Sequence, residues 1–387
     1  MNRKPLKSQI RRSYRLESVL DSLRMRIVQG ELQPGSRFPT QDDLMKDLGI
    51  GKATAQRLFD ILTNDGFIVP NGSSGTFVSQ DPPHLSNFGV VFPFSESALI
   101  HSRFYLGILY EIRQFTAKTH SDFSTYYQPY LEGSNEYLRL LSDMQNHRLA
   151  GVIFASDFGP LLGTKVMSLN DTPRVAIMSD NNSLIPDIPA VYPNQKEFIQ
   201  KAIAHLAEAG RKRIAYISTL TIDKMKSAFH HELKQYQMFT QPYWQLQADP
   251  MNPSPMRNIM HCLMRLPAED RPDGLIISDD NLVEETIAGL VDAGTHVPND
   301  LTIVAHANYP LCPTSPLPVH WIGFDLQEVL NRCMGIIRDE RQGATPPATS
   351  YIQAINYTDY SVKLIKPVGK HAMLPTSPSS LNKGAKV

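Results

Sequence analysis

The tetrapeptide Gly51-Lys52-Ala53-Thr54 carries residue types that serve two different phosphate chemistries. A Gly-Lys pair closing a glycine-rich loop cradles nucleotide phosphates, whereas a lysine in the first turn of a helix neutralises a phosphate of the DNA backbone. The first chemistry needs a glycine five residues before Gly51, a Ser/Thr directly after Lys52 to hold magnesium, and a strand leading in. Those places hold Lys46 and Ala53, and the run-in has helical spacing. A nucleotide-hydrolysing loop is therefore excluded. What remains is a helix that offers Lys52, Thr54, Gln56 and Arg57 to a polyanion.

Other reactive residue types lie apart from one another. Cys262, Cys312 and Cys333 form no CxxC pair and share no ligand spacing with histidine, so they read as reduced thiols. His230, His231 and His306 have no carboxylate or histidine at metal-binding intervals. The chain contains no nucleophile elbow and no glycine-rich cofactor loop. No catalytic residue, cofactor or metal is expected, and the enzyme classes fall away.

The charge distribution supports the polyanion. The 387-residue chain has 38 Lys/Arg against 38 Asp/Glu, yet residues 1–80 hold twelve basic residues against eight acids. Arg3, Lys4, Lys7, Arg11, Arg12 and Arg15 concentrate that excess in a basic N-terminal arm. No apolar h-region opens the chain and no apolar run reaches membrane-spanning length, so a cytoplasmic protein with no membrane partner is expected.

The elements that position these residues follow from periodicity. Leu16, Val19, Leu20, Leu23 and Ile27 predict an amphipathic helix over 14–29, with Gly30 as its C′ residue. Thr40 with Asp43 predicts a capped short helix to residue 48, Gly49 breaks it, and a second helix runs over 52–64. Two helices across a tight glycine turn make a helix-turn-helix. Residues 67–78 read as two short strands around a Gly72-Ser73-Ser74 tip, a β-wing.

This run resembles, end to end, the winged helix-turn-helix head of GntR-type bacterial regulators. The landmarks are the turn from Gly30 through Leu32 to Pro34-Gly35, then Pro39, Asp47-Leu48-Gly49-Ile50, the Leu62…Gly66 junction and the closing Gly75-Thr76-Phe77-Val78. The resemblance implies that Arg37, Thr40, Gln41, Lys52, Thr54, Gln56, Arg57, Gly72, Ser73 and Ser74 face double-stranded DNA. Family recognition helices open with Ser/Thr and Arg and carry another Arg four residues on; here Gly51, Lys52 and Gln56 stand in those places. Asp42, Asn71 and Ser73 also replace residues usual in the family. Gln56 is thus a candidate to read adenine through both amide atoms, and the basic arm is expected to supply phosphate affinity.

After a polar, Pro-bearing linker at 79–86, strand and helix signals alternate, the pattern of a parallel α/β sheet. Strands are expected over 88–92, 123–127, 151–155, 174–178, 213–218, 274–278, 301–306 and 351–356. Helices are expected over 104–118, 136–146, 197–209, 224–238, 282–293 and 326–342. The runs FGVVFP, AIAHLAEAGRKRIAYIS and PDGLIISDDNLVEETIAGLVDAGTHVPNDLTIVAHAN resemble the effector domain of LacI-type regulators, which shares the fold of periplasmic sugar-binding proteins. The resemblance implies a doubly wound, two-lobed α/β domain over 87–365, followed by a disordered tail at 366–387.

In that family the ligand sits between the lobes. The resemblance nominates Asn194, Asp280 and Asn281, with Lys226 as the nearest substitute for an absent arginine and Ala307-Asn308 in place of a usual Asp-Asp pair. Phe94, Phe104, Tyr105 and Trp321 are candidate stacking aromatics, and His306 is a further polar candidate. The expectation is a homodimeric repressor with a DNA head at 1–78 that responds to a small effector, carbohydrate-like by resemblance. Its rival is a scaffold or small-molecule-binding protein with a weakened DNA head and a degenerate pocket. The missing arginines motivate it, together with Pro193 where the family has Asp.

Overall fold

The computed structural model describes residues 5–156, 158–177, 188–219 and 223–365. Arg3, Lys4, Met178 with the crossing after it, and the tail 366–387 lie outside the described residues.

Helix α1 (Pro5–Val28) begins well before the expected point, so Lys7, Arg11, Arg12 and Arg15 ride on its first turns instead of on a loose arm. Helices α2 (Gln41–Leu48) and α3 (Lys52–Asn64) meet across Gly49, whose φ of 58° is open to a residue without Cβ. Strands β1 (Ile68–Pro70) and β2 (Thr76–Val78) pair antiparallel with Val69 opposite Phe77 and form the wing. Leu20, Leu23, Ile27, Phe38, Leu44, Leu58, Leu62 and Phe67 close a core of their own beneath these elements. Each such burial is worth about 1.5–3 kcal/mol. The segment expected to be a plain linker contains a short helix, α4 (Pro83–Ser86), with Pro83, His84 and Ser86 buried.

The first lobe carries β3 (Asn87–Phe92), α5 (Arg103–Lys118), β4 (Asp122–Tyr127), α6 (Asn135–Gln145), β5 (Gly151–Phe154), α7 (Lys165–Ser168), β6 (Arg174–Ile177) and β7 (Ala190–Pro193). The second carries α8 (Gln195–Glu208), β8 (Ile214–Thr219), α9 (Asp223–Gln235), β9 (Gln245–Ala248), α10 (Pro255–Leu263), β10 (Gly274–Ile277), α11 (Val283–Asp292), β11 (Thr302–Tyr309) and β12 (His320–Asp325). The chain closes with α12 (Leu326–Arg341), β13 (Thr349–Ile352), β14 (Ile355–Asn356) and α13 (Tyr357–Ile365).

Both sheets are six-stranded, in the orders β13-β7-β6-β5-β3-β4 and β14-β12-β11-β10-β8-β9, and only the β12–β14 pairing is antiparallel. The chain therefore crosses between lobes three times, at β7 to α8, β12 to α12 and β13 to β14. The strand expected over 351–356 is split across the third crossing. Strand β12 was not anticipated, because Pro318 and Gly323 break its apolar pattern. Gly323 is required there, since a Cβ would lie 1.8 Å from the Ala307 carbonyl oxygen. Buried runs such as Val90-Val91-Phe92 and Leu275-Ile276-Ile277 place strand C-termini at the interlobe cleft, where an open α/β sheet puts its ligand.

Candidate DNA-binding head and effector cleft

The head presents one polar face. Thr40 caps α2: its Oγ1 accepts from the Asp43 backbone N–H at 3.2 Å, and Asp43 Oδ2 accepts from the Thr40 N–H at 3.0 Å. The Thr40 hydroxyl, donating to Asp43 Oδ2 at 2.6 Å, and then the Thr40 N–H hold the Asp43 carboxyl below its ordinary range. Thr40 is thus engaged in positioning the helix. Gly51 opens α3 without a side-chain cap, which leaves the exposed Lys52 at its first position. Gln41 Nε2 donates to Gln56 Oε1 at 2.9 Å, and Gln56 Nε2 donates to Asp60 Oδ1 at 2.8 Å. Both amide atoms that would read a base are therefore engaged along the surface. Arg37 lies against Gly75 of the wing, and Gly72, Ser73 and Ser74 form its exposed tip. Arg57 is exposed on α3, and Thr54 is half-buried.

The head is fastened to the first lobe by charge. Arg24 on α1 is only 4% exposed and donates both to Asp65, at the end of α3, and to Asn146 in the turn after α6. Asp65 also lies 3.8 Å from Arg148, which sits 3.2 Å from Asp143. His147 of the same turn approaches Asp21 at 4.0 Å. The His84 ring stacks on Phe67 at 6.2 Å, and burial pushes its pKa down to about 4. A charge inside an amphipathic helix normally reads as solvated surface, so nothing in the sequence singled out Arg24.

Between the lobes lies a cavity of about 300 Å³, lined by Phe104, Tyr105, Ser156, Asp279, His306 and Asn308 among others. Asp279 Oδ1 accepts from the backbone N–H and the amide of Asn281, both at 2.9 Å. Asn281 Oδ1 in turn accepts from the Arg103 backbone N–H at 3.0 Å, across the cleft. Asp280 is buried behind, accepting from the backbone N–H and amide of Asn308 at 3.1 and 3.0 Å. Burial, and then Asp279, pushes the pKa of Asp280 up to about 7. His306 packs between Phe198 and Phe324, each at 5.5 Å, with neither ring nitrogen hydrogen-bonded to a described residue, and burial pushes its pKa down to about 4.

Residues 15–78 match the family of bacterial regulatory proteins of the GntR type, and residues 203–347 match the periplasmic binding protein-like domain family. The chain joins a GntR-type head to a periplasmic-binding-protein-like body. It is 21% identical over 301 residues to the arabinose metabolism transcriptional repressor of Geobacillus stearothermophilus, covering 73% of this chain and 79% of that one. It is 23% identical over 182 residues to the catabolite control protein A of Priestia megaterium, spanning 46% of this chain and about half, 53%, of the relative. The fold is shared with a LacI family transcriptional regulator from Lactobacillus casei solved with bound sucrose. That likeness has a TM-score of 0.52 and 18% identity, over 70% of this chain and 97% of that one.

In this periplasmic-binding-protein-like body, the cleft gathers two of the eight nominated effector residues, Tyr105 and His306, together with Phe104. The other six are not among the described residues lining it. Asp280 is committed to Asn308, and its neighbour Asp279 reaches the cavity instead. Asn281 joins the lobes. Asn194 caps α8, accepting from the Glu197 N–H at 3.2 Å, while the flanking Pro193 and Gln195 line the cavity. Phe94 packs edge-on against Tyr105 at 5.8 Å, behind the lining. Trp321, half-buried, packs against the second lobe's core and against the Ala307, Tyr309 and Tyr360 cluster. Lys226 is exposed on α9 and lines a separate hollow with Tyr216, His230 and Gln247. Asp279, which the sequence did not single out, and Asn308, which stands in the place of a usual Asp, both line the cavity near strand C-termini.

Proposed function

We propose that this GntR–LacI-type chain is a homodimeric transcriptional repressor whose DNA affinity is set by a small ligand held between its lobes. Residues 1–78 read DNA, 79–86 carry the signal, and 87–365 bind the effector and dimerise. Lys52 and Arg37 serve phosphates, Gln41, Gln56 and Arg57 face the major groove, and Gly72, Ser73 and Ser74 approach the backbone from the wing. The relatives' printed roles, arabinose metabolism repressor and catabolite control protein, support a carbohydrate-like effector.

One observation carries the reading. The first lobe holds the head through Arg24 and Asn146, and it holds the second lobe through Arg103 and Asn281. A ligand that alters lobe closure acts on the same rigid lobe that anchors the head, a route for a coupling of about 1–3 kcal/mol. Gel shifts on DNA upstream of its own gene, at low and moderate salt, test this: a sequence preference is expected. Uniform binding to all sequences would leave the scaffold reading, which the engaged Gln41–Gln56–Asp60 chain favours.

A further inference from the structure

Three features of the cleft converge on one kind of ligand. Asp279 uses Oδ1 to hold Asn281, and no described residue donates to its Oδ2. His306, 5% exposed, lines the same cavity, and no described residue partners its Nδ1 or Nε2. Among the described residues, no lysine or arginine lines the cavity. Arg103, whose field reaches Asp280, turns its guanidinium toward Glu284 at 3.7 Å.

Closing a cleft over a carboxylate that no described residue neutralises is costly, because desolvation disfavours the charged form. An anionic ligand adds repulsion. A neutral polyol supplies hydrogen bonds but leaves the charge uncompensated. An ammonium supplies both charge and donors, and the rings of Phe104, Tyr105 and Phe324 around the cavity suit a cation and the C–H faces of a saturated ring. The neutral His306 offers one donor and one acceptor, which a ligand hydroxyl satisfies.

We propose that the cleft takes an amino sugar, a small polyol whose protonated amine pairs with Asp279 Oδ2 and whose hydroxyl meets His306. The proposal rests on the effector-cleft reading above. The upward shift of the Asp279 carboxyl by burial accords with a site that awaits a cation.

The test is isothermal titration of the full chain at pH 6.5 in amine-free buffer with matched probes. These are glucosamine and glucose, galactosamine and galactose, mannosamine and mannose, with glucose 6-phosphate as the anion. At least one amine is expected to bind about tenfold tighter than its hydroxyl partner, equivalent to about 1.4 kcal/mol, and the phosphate not at all. Asp279→Asn should erase that difference while leaving the hydroxyl partner's weaker binding in place. Neutral or anionic probes binding as well as the amines overturn the proposal alone. No binding by any probe up to millimolar concentration overturns both the proposal and the effector-cleft reading.

Discussion

Arg24 on the head's first helix hydrogen-bonds Asn146 in the turn after α6, so one guanidinium spans the head and the first lobe. The same guanidinium holds Asp65 inside the head. Replacing Arg24 would leave Asp65 with a more distant cation and damage head and junction together. Asn146→Ala is the cleaner cut, since it leaves the Arg24–Asp65 pair intact. Faster limited proteolysis within 79–86 is expected, with head and body each still folded by circular dichroism. An unchanged cleavage rate would mean that the contact does not hold the head.

Recognition by α3 should separate into phosphate and base terms. Lys52→Ala is expected to weaken binding to all sequences alike and to lower the salt slope by about 1. Gln56→Ala is expected to relax preference at one base position, costing about 1–3 kcal/mol on the preferred site. Competition binding at several salt concentrations distinguishes the two.

Asp60 is expected to restrain the head. It accepts from Gln56 Nε2 at 2.8 Å and places a negative charge on the DNA-facing helix. Asp60→Ala frees the amide and removes that charge. Operator affinity measured by fluorescence anisotropy should rise severalfold, by about 1 kcal/mol. A fall in affinity would place Asp60 among the groups that contact DNA.

Much of this was legible beforehand, for identifiable reasons. The helix-turn-helix was readable because Gly49, Thr40 and the Leu58/Leu62 spacing each have one local structural meaning. The cleft was readable as a location, since strand C-termini converge there, but not as a residue set. Asp279 and Asp280 are adjacent and chemically identical, and only the Asn308 amide decides which of them is buried. Asn194 and Trp321 sit near the right place in sequence, yet capping and packing absorb their side chains. Arg24 is the opposite case: its role exists only when two domains come together.

Stability should depend on pH through His84. Its folded pKa is about 4, against about 6.5 when unfolded. Because the folded value is depressed, this contribution is complete above about pH 6.5 and is lost as pH falls toward 4. Between pH 7 and pH 5 the loss is about 2 kcal/mol. Asp280, raised from 3.8 to about 7, acts in the opposite sense, since its cost to the folded state grows as pH rises between those values. The His84 share is therefore isolated by difference. His84→Phe keeps a ring to stack on Phe67 and should lose about 2 kcal/mol less than the unaltered chain over that interval. Urea melts at the two pH values decide it, and parallel losses in both proteins would exclude His84.

Asn281 should set how closed the cleft is. Its Oδ1 accepts from Arg103 N–H across the lobes, and its own donors are fixed by Asp279 Oδ1, so the bond is pre-oriented from one side. Asn281→Ala removes the interlobe bond without placing a new charge in the cleft. Hydrogen exchange at the backbone N–H of Arg103 should accelerate, and the radius of gyration from small-angle scattering should increase. If lobe closure is what the DNA head senses, operator affinity must change as well, and the effector's influence on it must shrink. Linkage then requires the operator's influence on effector affinity to shrink by the same factor. Accelerated exchange with unaltered DNA binding would show that the lobes move without informing the head. Altered DNA binding with unchanged exchange would place the coupling in the Arg24–Asn146 junction instead.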